Sequence, residues 1–142
     1  MSGPRDFARV YRENSILTAS PGQLVLMMFD GASRSMALAH AAFERPKADL
    51  RRIEIINREL IKAQAIFSEL RGSLNHEVGA EFAKTMDGLY QYYNRRLFEA
   101  NMRKQLEPLV EVENLFKTVH EAWAEMLRTQ DVQGGERVLV SA

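Results

Sequence analysis

Apolar residues recur along this chain at steps of three and four, and short polar stretches interrupt them. That spacing predicts amphipathic helices. The densest passage is residues 16 to 43, ILTASPGQLVLMMFDGASRSMALAHAAF. Ser20 as N-cap, Pro21 at the first helical position and Gln23 completing an S-x-x-Q capping box predict a helix start. Leu24 to Phe29 are apolar without a break. Two adjacent stripes then run down the helix: Val25, Phe29, Ala32, Met36, Ala39, Phe43, and Leu24, Met28, Gly31, Ser35, Leu38, Ala42. A surface helix needs one stripe. Two stripes, with Leu26 and Met27, predict a helix covered on most sides near its start, either central to a bundle or lining a partner's groove.

This first helix is expected from about Ser20 to Glu44, where ERPKAD breaks it. A second follows from about Ala48 to Leu74. Its seam, Ile53, Ile56, Leu60, Ala63, Phe67, Leu70 and Leu74, alternates three and four as in left-handed bundle packing. Ile55, Ile61 and Ile66 lie off this seam and hint at a second contact surface. NHEVG, with Asn75 as an N-cap, leads into a third helix ending near Arg103. It carries Phe82, Met86, Leu89, Tyr93, Leu97 and Ala100 on one face, with Tyr90 at the edge and Tyr92 turned away. A fourth, from near Gln105 with Pro108 in its first turn to about Arg128, carries Leu109, Val112, Phe116, Val119, Trp123 and Met126. Gly31 and Gly88 inside helices each cost about 1 kcal/mol against alanine, and close helix approach is the expected compensation.

The prolines all fall at helix edges or in the N-terminal segment. Short connections make consecutive helices neighbours, which predicts an all-α, antiparallel up-down four-helix bundle over residues 20–129. Residues 1–19 form an N-terminal arm with Phe7, Val10, Tyr11, Ile16 and Leu17. The arm reads either as a disordered terminus or as an apolar segment that docks on the bundle. Residues 130–142, with Gly134-Gly135, read as a flexible tail.

A chain of 142 residues is long enough for one domain with a sizeable core. Lysine plus arginine equals aspartate plus glutamate at 19 each, so no basic excess points to nucleic acid or an anionic membrane. There is no cysteine, hence no disulfide or thiolate chemistry. The apolar run Leu24–Phe29 is far too short to cross a bilayer, and the N-terminus lacks a signal peptide's apolar core. The expectation is a soluble cytoplasmic protein without membrane insertion. Di-metal bundles use Glu-x-x-His pairs, but the residues three before His40, His76 and His120 are Ala37, Ser73 and Lys117. His120-Glu121 starts like H-E-x-x-H, yet its closing position is Ala124. No phosphate-binding or nucleophile motif is present. The expectation is therefore no enzyme, no cofactor and no metal site, but a helical binding module whose apolar surplus suits an amphipathic partner segment.

Four stretches resemble the FliS family of flagellin export chaperones. They are TASPGQLVLMMFDGA at 18 to 32, LIKAQAIFSELRGSLN at 60 to 75, GLYQYYNRRLFEAN at 88 to 101 and LVEVENLFKTVHEAW at 109 to 123. The arm, with Phe7, Tyr11, Asn14 and Ser15, is similar to the family's N-terminal segment. The resemblance implies an antiparallel bundle in the cytoplasm of a flagellated bacterium. It implies binding of the disordered C-terminal segment of new flagellin, so that premature polymerisation is blocked, and delivery to the flagellar type III export gate. It also implies contact with other flagellar proteins, including an anti-sigma factor. Tyr11 matches a family tyrosine associated with partner binding. Phe7, Ile16 and Leu17 join it as expected partner-binding residues, with Ile55, Ile61 and Ile66 added on helical position alone. The chain departs from the family pattern at Phe29-Asp30-Gly31, where tyrosine precedes Asp-Gly in the family, and at Val78-Gly79-Ala80-Glu81, where Gly-Gly-Glu is common. The alternatives are a self-associating helical bundle and a chaperone for another export substrate.

Overall fold

The computed structural model describes residues 19–77 and 79–141, with the backbone alone beyond residue 131. Helix α1 spans Pro21–Phe43 and starts as its residues require. Ser20 is extended, its hydroxyl accepts from the Gln23 N–H at 3.2 Å, and the Gln23 side chain accepts from the Ser20 N–H at 3.1 Å. This reciprocal box satisfies two N–H groups that a helix start leaves without partners.

Helix α2 spans Arg51–Gly72. It starts after Ala48 because Pro46–Asp49 closes a turn, with the Asp49 N–H donating to the Pro46 carbonyl at 2.9 Å. The Asp49 carboxylate accepts from the Arg51 N–H and from Arg45, each at 2.9 Å. The Arg52 guanidinium donates to the Phe43 carbonyl and lies 5.6 Å from the Phe43 ring centroid, tying the hairpin shut.

Helix α3 spans Ala80–Arg103 and is entered through Gly79 at φ +70°. Glycine adopts that conformation without steric cost. Asn75 is not the cap expected of it. Its side-chain oxygen accepts from the Glu77 N–H at 3.1 Å, a local turn inside the connection. Lys104, at φ 51°, ends α3. Its ammonium is held by Asn57 of α2 at 2.7 Å and by Asn101.

Helix α4 spans Leu106–Ser141. Its backbone continues past Arg128, where the apolar spacing stops, through Gly134-Gly135 to Ser141, so the segment expected as a tail carries helical backbone. No proline follows Pro108 to interrupt it.

Helix α1 packs on α2 and α4, and α3 packs on the same two. Cross-helix bonds show that neighbours run antiparallel. Asn57, Ser68 and Arg71 of α2 meet Lys104, Asn94 and Asp87 of α3 in descending order. Gly22, Asp30 and His40 of α1 likewise meet Trp123, His120 and Glu113 of α4. Among the described residues there is no strand.

At the centre of the core one aromatic ring from each helix meets the others: Phe29, Phe67, Tyr93 and Phe116, all nearly inaccessible. Phe116 meets Phe29 at 5.1 Å, Phe67 at 5.2 Å and Tyr93 at 5.9 Å between centroids, each edge to face. The expected first stripe of α1 is buried from Phe29 to Phe43, and the seam of α2 from Ile56 to Leu70. Ile53 and Met126, expected on seams, are 43% and 38% exposed because they lie near the bundle's ends.

The face of α3 is rotated from expectation. Ala83 and Tyr90 are buried, Phe82 is 55% exposed and Leu89 is half-buried. Both stripes have helical spacing; the Phe67 ring, stacked 6.1 Å from Tyr90, selects the one with tyrosine inside. Gly88 also departs from expectation, since a Cβ there would touch nothing within 4 Å. The close approach falls at Gly22, where a Cβ would lie 2.8 Å from Leu127 Cδ2, while at Gly31 it would just reach Ile66 Cδ1 at 3.4 Å.

Three carboxylates clasp these elements. Glu111 of α4 accepts from the Tyr92 hydroxyl and from Arg96 of α3. The tyrosine bond, aided by Arg96, holds its carboxyl below the usual range. Arg71 does the same for Asp87, and the Arg51 N–H for Asp49.

Phe67→Ala is expected to lower the unfolding free energy by about 3–5 kcal/mol in urea titration. Gly88→Ala, exposed and uncrowded, is expected to raise it by about 0.5–1 kcal/mol; a loss would show that α3 needs glycine there. A depressed folded-state pKa adds stability above the ordinary carboxylate value, which is lost as pH falls through the folded value. Glu111→Gln should therefore shrink the fall in thermal midpoint below about pH 4.5. An unchanged acid limb would remove Glu111 from the balance.

Candidate functional site

The six-residue apolar run of α1 cannot all face the core, because Phe29 occupies the central layer. The surplus turns outward along α2. Leu24, Met27, Met28 and Gly31 from α1 and Ile66 from α2 line an open groove of about 660 Å³. Asp30, Arg34 and Glu69 supply its charged lining. The absent side chain of Gly31 keeps the floor low, with Ile66 filling the space opposite. Leu24 is 37% exposed, and Met27 and Met28 are half-buried. Methionines are unbranched and polarizable, so this wall can reshape to different side chains. An apolar trough with mixed charge at its edge suits the apolar face of a helix or extended segment.

The residues expected to bind a partner fall in three places. Phe7, Tyr11, Ile16 and Leu17 lie outside the described residues. Ile66 lines the groove and, like Ile55, is half-buried against the core. Ile61 is 58% exposed on the other side of α2, the side of Gln64 and Ser68, which bond Asn94 of α3. Leu24, Met27 and Met28 were not among the expected site residues. Their signal was the unbroken run Leu24–Phe29, which is longer than a single core stripe needs.

Polar clusters elsewhere join helices. His120 of α4 bonds Asp30 of α1 at 2.7 Å and stacks on Phe116 at 5.5 Å. His40 of α1 bonds Glu113 of α4 at 2.7 Å. Ser33 lines the crevice beside His120, but no hydrogen bond joins it to the imidazole, so nucleophile, base and orienting acid are not assembled. Among the described residues, no group of three or more His, Asp or Glu side chains is placed to hold a metal ion. Among the same residues, no helix is long and apolar enough to cross a membrane.

Comparison with known proteins converges on one family. The family described as "Flagellar protein FliS" matches residues 4–130. The flagellar secretion chaperone FliS of Bacillus subtilis (strain 168) is 34% identical over 120 residues, covering 84% of this chain and 85% of the relative. That of Salmonella typhimurium is 33% identical over 125 residues, covering 88% and 90%. That of Escherichia coli (strain K12) is 32% identical over 126 residues, covering 88% and 89%.

Proposed function

The chain belongs to the FliS family of flagellar secretion chaperones, and from that premise we propose that it binds the disordered C-terminal segment of flagellin in the α1/α2 groove. The observation that carries this reading is the apolar trough of Leu24, Met27, Met28 and Ile66, left open on the bundle surface. A disordered ligand loses conformational entropy as it orders, so it needs a continuous apolar surface to bind well. Asp30, Arg34 and Glu69 offer both signs of charge to the polar edge of a bound helix and would set its register.

Holding the segment in the cytoplasm keeps it from building the filament core too early, and the complex then passes to the flagellar type III export gate. An anti-sigma factor is a further proposed partner. Residues 1–19 lead into Ser20, one turn before Leu24, so Tyr11 and its neighbours Phe7, Ile16 and Leu17 border the groove in this reading. Ile55 and Ile61 extend the surface for a segment that wraps around α2.

Titration calorimetry with the C-terminal flagellin segment of the same organism tests the reading. One-to-one binding with a clearly negative heat-capacity change is expected. Met27→Glu and Tyr11→Ala should each weaken it by about tenfold or more, as loss of an interface anchor does, with little change in thermal midpoint. Absence of heat with folded, monodisperse protein would move the function to another export substrate. Exposed Ile61 and Phe98, away from the groove, favour self-association as a second reading. Light scattering that shows an oligomer indifferent to flagellin would establish it.

A further inference from the structure

Of the three charged side chains that line the α1/α2 groove, one is tethered. Asp30 Oδ1 accepts from His120 Nε2 of α4 at 2.7 Å, whereas the side chains of Arg34 and Glu69 make no hydrogen bond or ion pair among the described residues. His120 is itself fixed. Its ring stacks on Phe116 at 5.5 Å and meets the Phe29 ring edge to face at 6.0 Å, so the imidazole packs against the aromatic layer at the bundle's centre. The Asp30 side chain nevertheless stays 50% exposed, and its other carboxylate oxygen has no bond among the described residues.

A carboxylate already held in place loses little freedom on meeting a cation, so it selects position better than an untethered one. The charge beside it is set by a group that titrates. Asp30 and Glu69 against Arg34 leave the lining of the groove negative in balance. Imidazole is the side chain that changes charge between about pH 5 and 8, where ordinary carboxylates stay ionised. A proton gained by His120 offsets the Asp30 charge and makes that balance neutral. Nε2 can donate to Asp30 in either state, so the charge changes while the bond is kept. The remaining charges beside the imidazole lie on its own helix. Glu113, bonded to His40 of α1, and Lys117, 3.9 Å from Glu121, line the crevice next to it. Helix α3 contributes no residue to this crevice or to the groove.

We propose that His120 is a positioning residue for the groove: it holds Asp30 where a lysine or arginine side chain of the bound segment pairs with it, and protonation of His120 weakens that pairing. The imidazolium competes for the same carboxylate and repels the incoming cation, so binding is tighter at the higher pH. This rests on the groove being the flagellin site, and adds to that reading a cationic residue in the segment and a dependence on pH.

The test is calorimetric titration of the full chain with the C-terminal flagellin segment at pH 8 and pH 5.5, with folding at both checked by circular dichroism. Affinity is expected to be about threefold weaker at pH 5.5, the size of one partly exposed ion pair. His120→Gln keeps a hydrogen-bond donor without a charge and should flatten the difference. Asp30→Asn, at a half-exposed position that tolerates the change, should bind about threefold more weakly at pH 8 and flatten the difference too. His40→Gln, which alters the other α1/α4 pair, should leave the difference in place. A purely structural His120 would lower the thermal midpoint without moving the pH profile. Equal affinity at the two pH values in the unaltered chain, a difference that survives His120→Gln or Asp30→Asn, or one that His40→Gln removes as well, would each overturn this proposal and leave the flagellin reading standing. No binding at either pH by the folded, unaltered chain would remove both.

Discussion

The contact on which the architecture depends is the Phe116 ring against one ring from each of the other three helices. Phe29, Phe67 and Tyr93 approach it at 5.1, 5.2 and 5.9 Å, with interplanar angles of 73°, 80° and 78°. Edge-to-face pairs add about 0.5–1.5 kcal/mol each beyond the area they bury. Their geometric consequence matters more. A single ring with three perpendicular neighbours couples the rotation of all four helices, because turning one breaks a contact that another shares. The inward position of Tyr90, and with it the outward position of Phe82, follows from this coupling through Phe67.

Once the rotations are set, the seams between helices become unequal. Bonds from Asn57, Gln64, Ser68 and Arg71 clasp α2 to α3. Glu111 clasps α4 to α3, and the pairs Asp30–His120 and His40–Glu113 clasp α1 to α4. Along the groove, no hydrogen bond or ion pair among the described residues joins α1 to α2; the Arg52–Phe43 bonds sit at the hairpin end. The α1/α2 seam is held there by apolar contact alone, which is non-directional and tolerates displacement of a methionine or an isoleucine. A surface that must accept a segment with varied side chains is better built this way than from oriented polar bonds.

Much of this was legible in residue order. The capping box at Ser20 and Gln23 is a local interaction between residues three apart, so it needs no tertiary information. The alternation of Ile56, Leu60, Ala63, Phe67 and Leu70 marks the inner face of α2 because any other rotation would expose Phe67 and Leu60 together. Where two stripes compete, as with Phe82 against Ala83 and Leu89 against Tyr90, periodicity has no means of choosing. Asn75 illustrates the same limit on a smaller scale: an asparagine in a polar stretch can cap a helix or close a turn, and the position of Gly79 decided for the turn.

The sequence by itself determined the helices, their antiparallel order and, through its motifs, the family, because each rests on interactions within a few residues or on patterns that repeat along one face. It also announced an apolar surplus in Leu24–Phe29 without saying where that surplus would emerge. The tertiary structure decided that Leu24, Met27 and Met28 open onto α2 beside Ile66, that Ile61 stays exposed on the other side of α2, and that Tyr90 turns inward against Phe67. Those outcomes depend on helix rotation, and rotation is set by the packing of aromatic rings that come from all four helices at once.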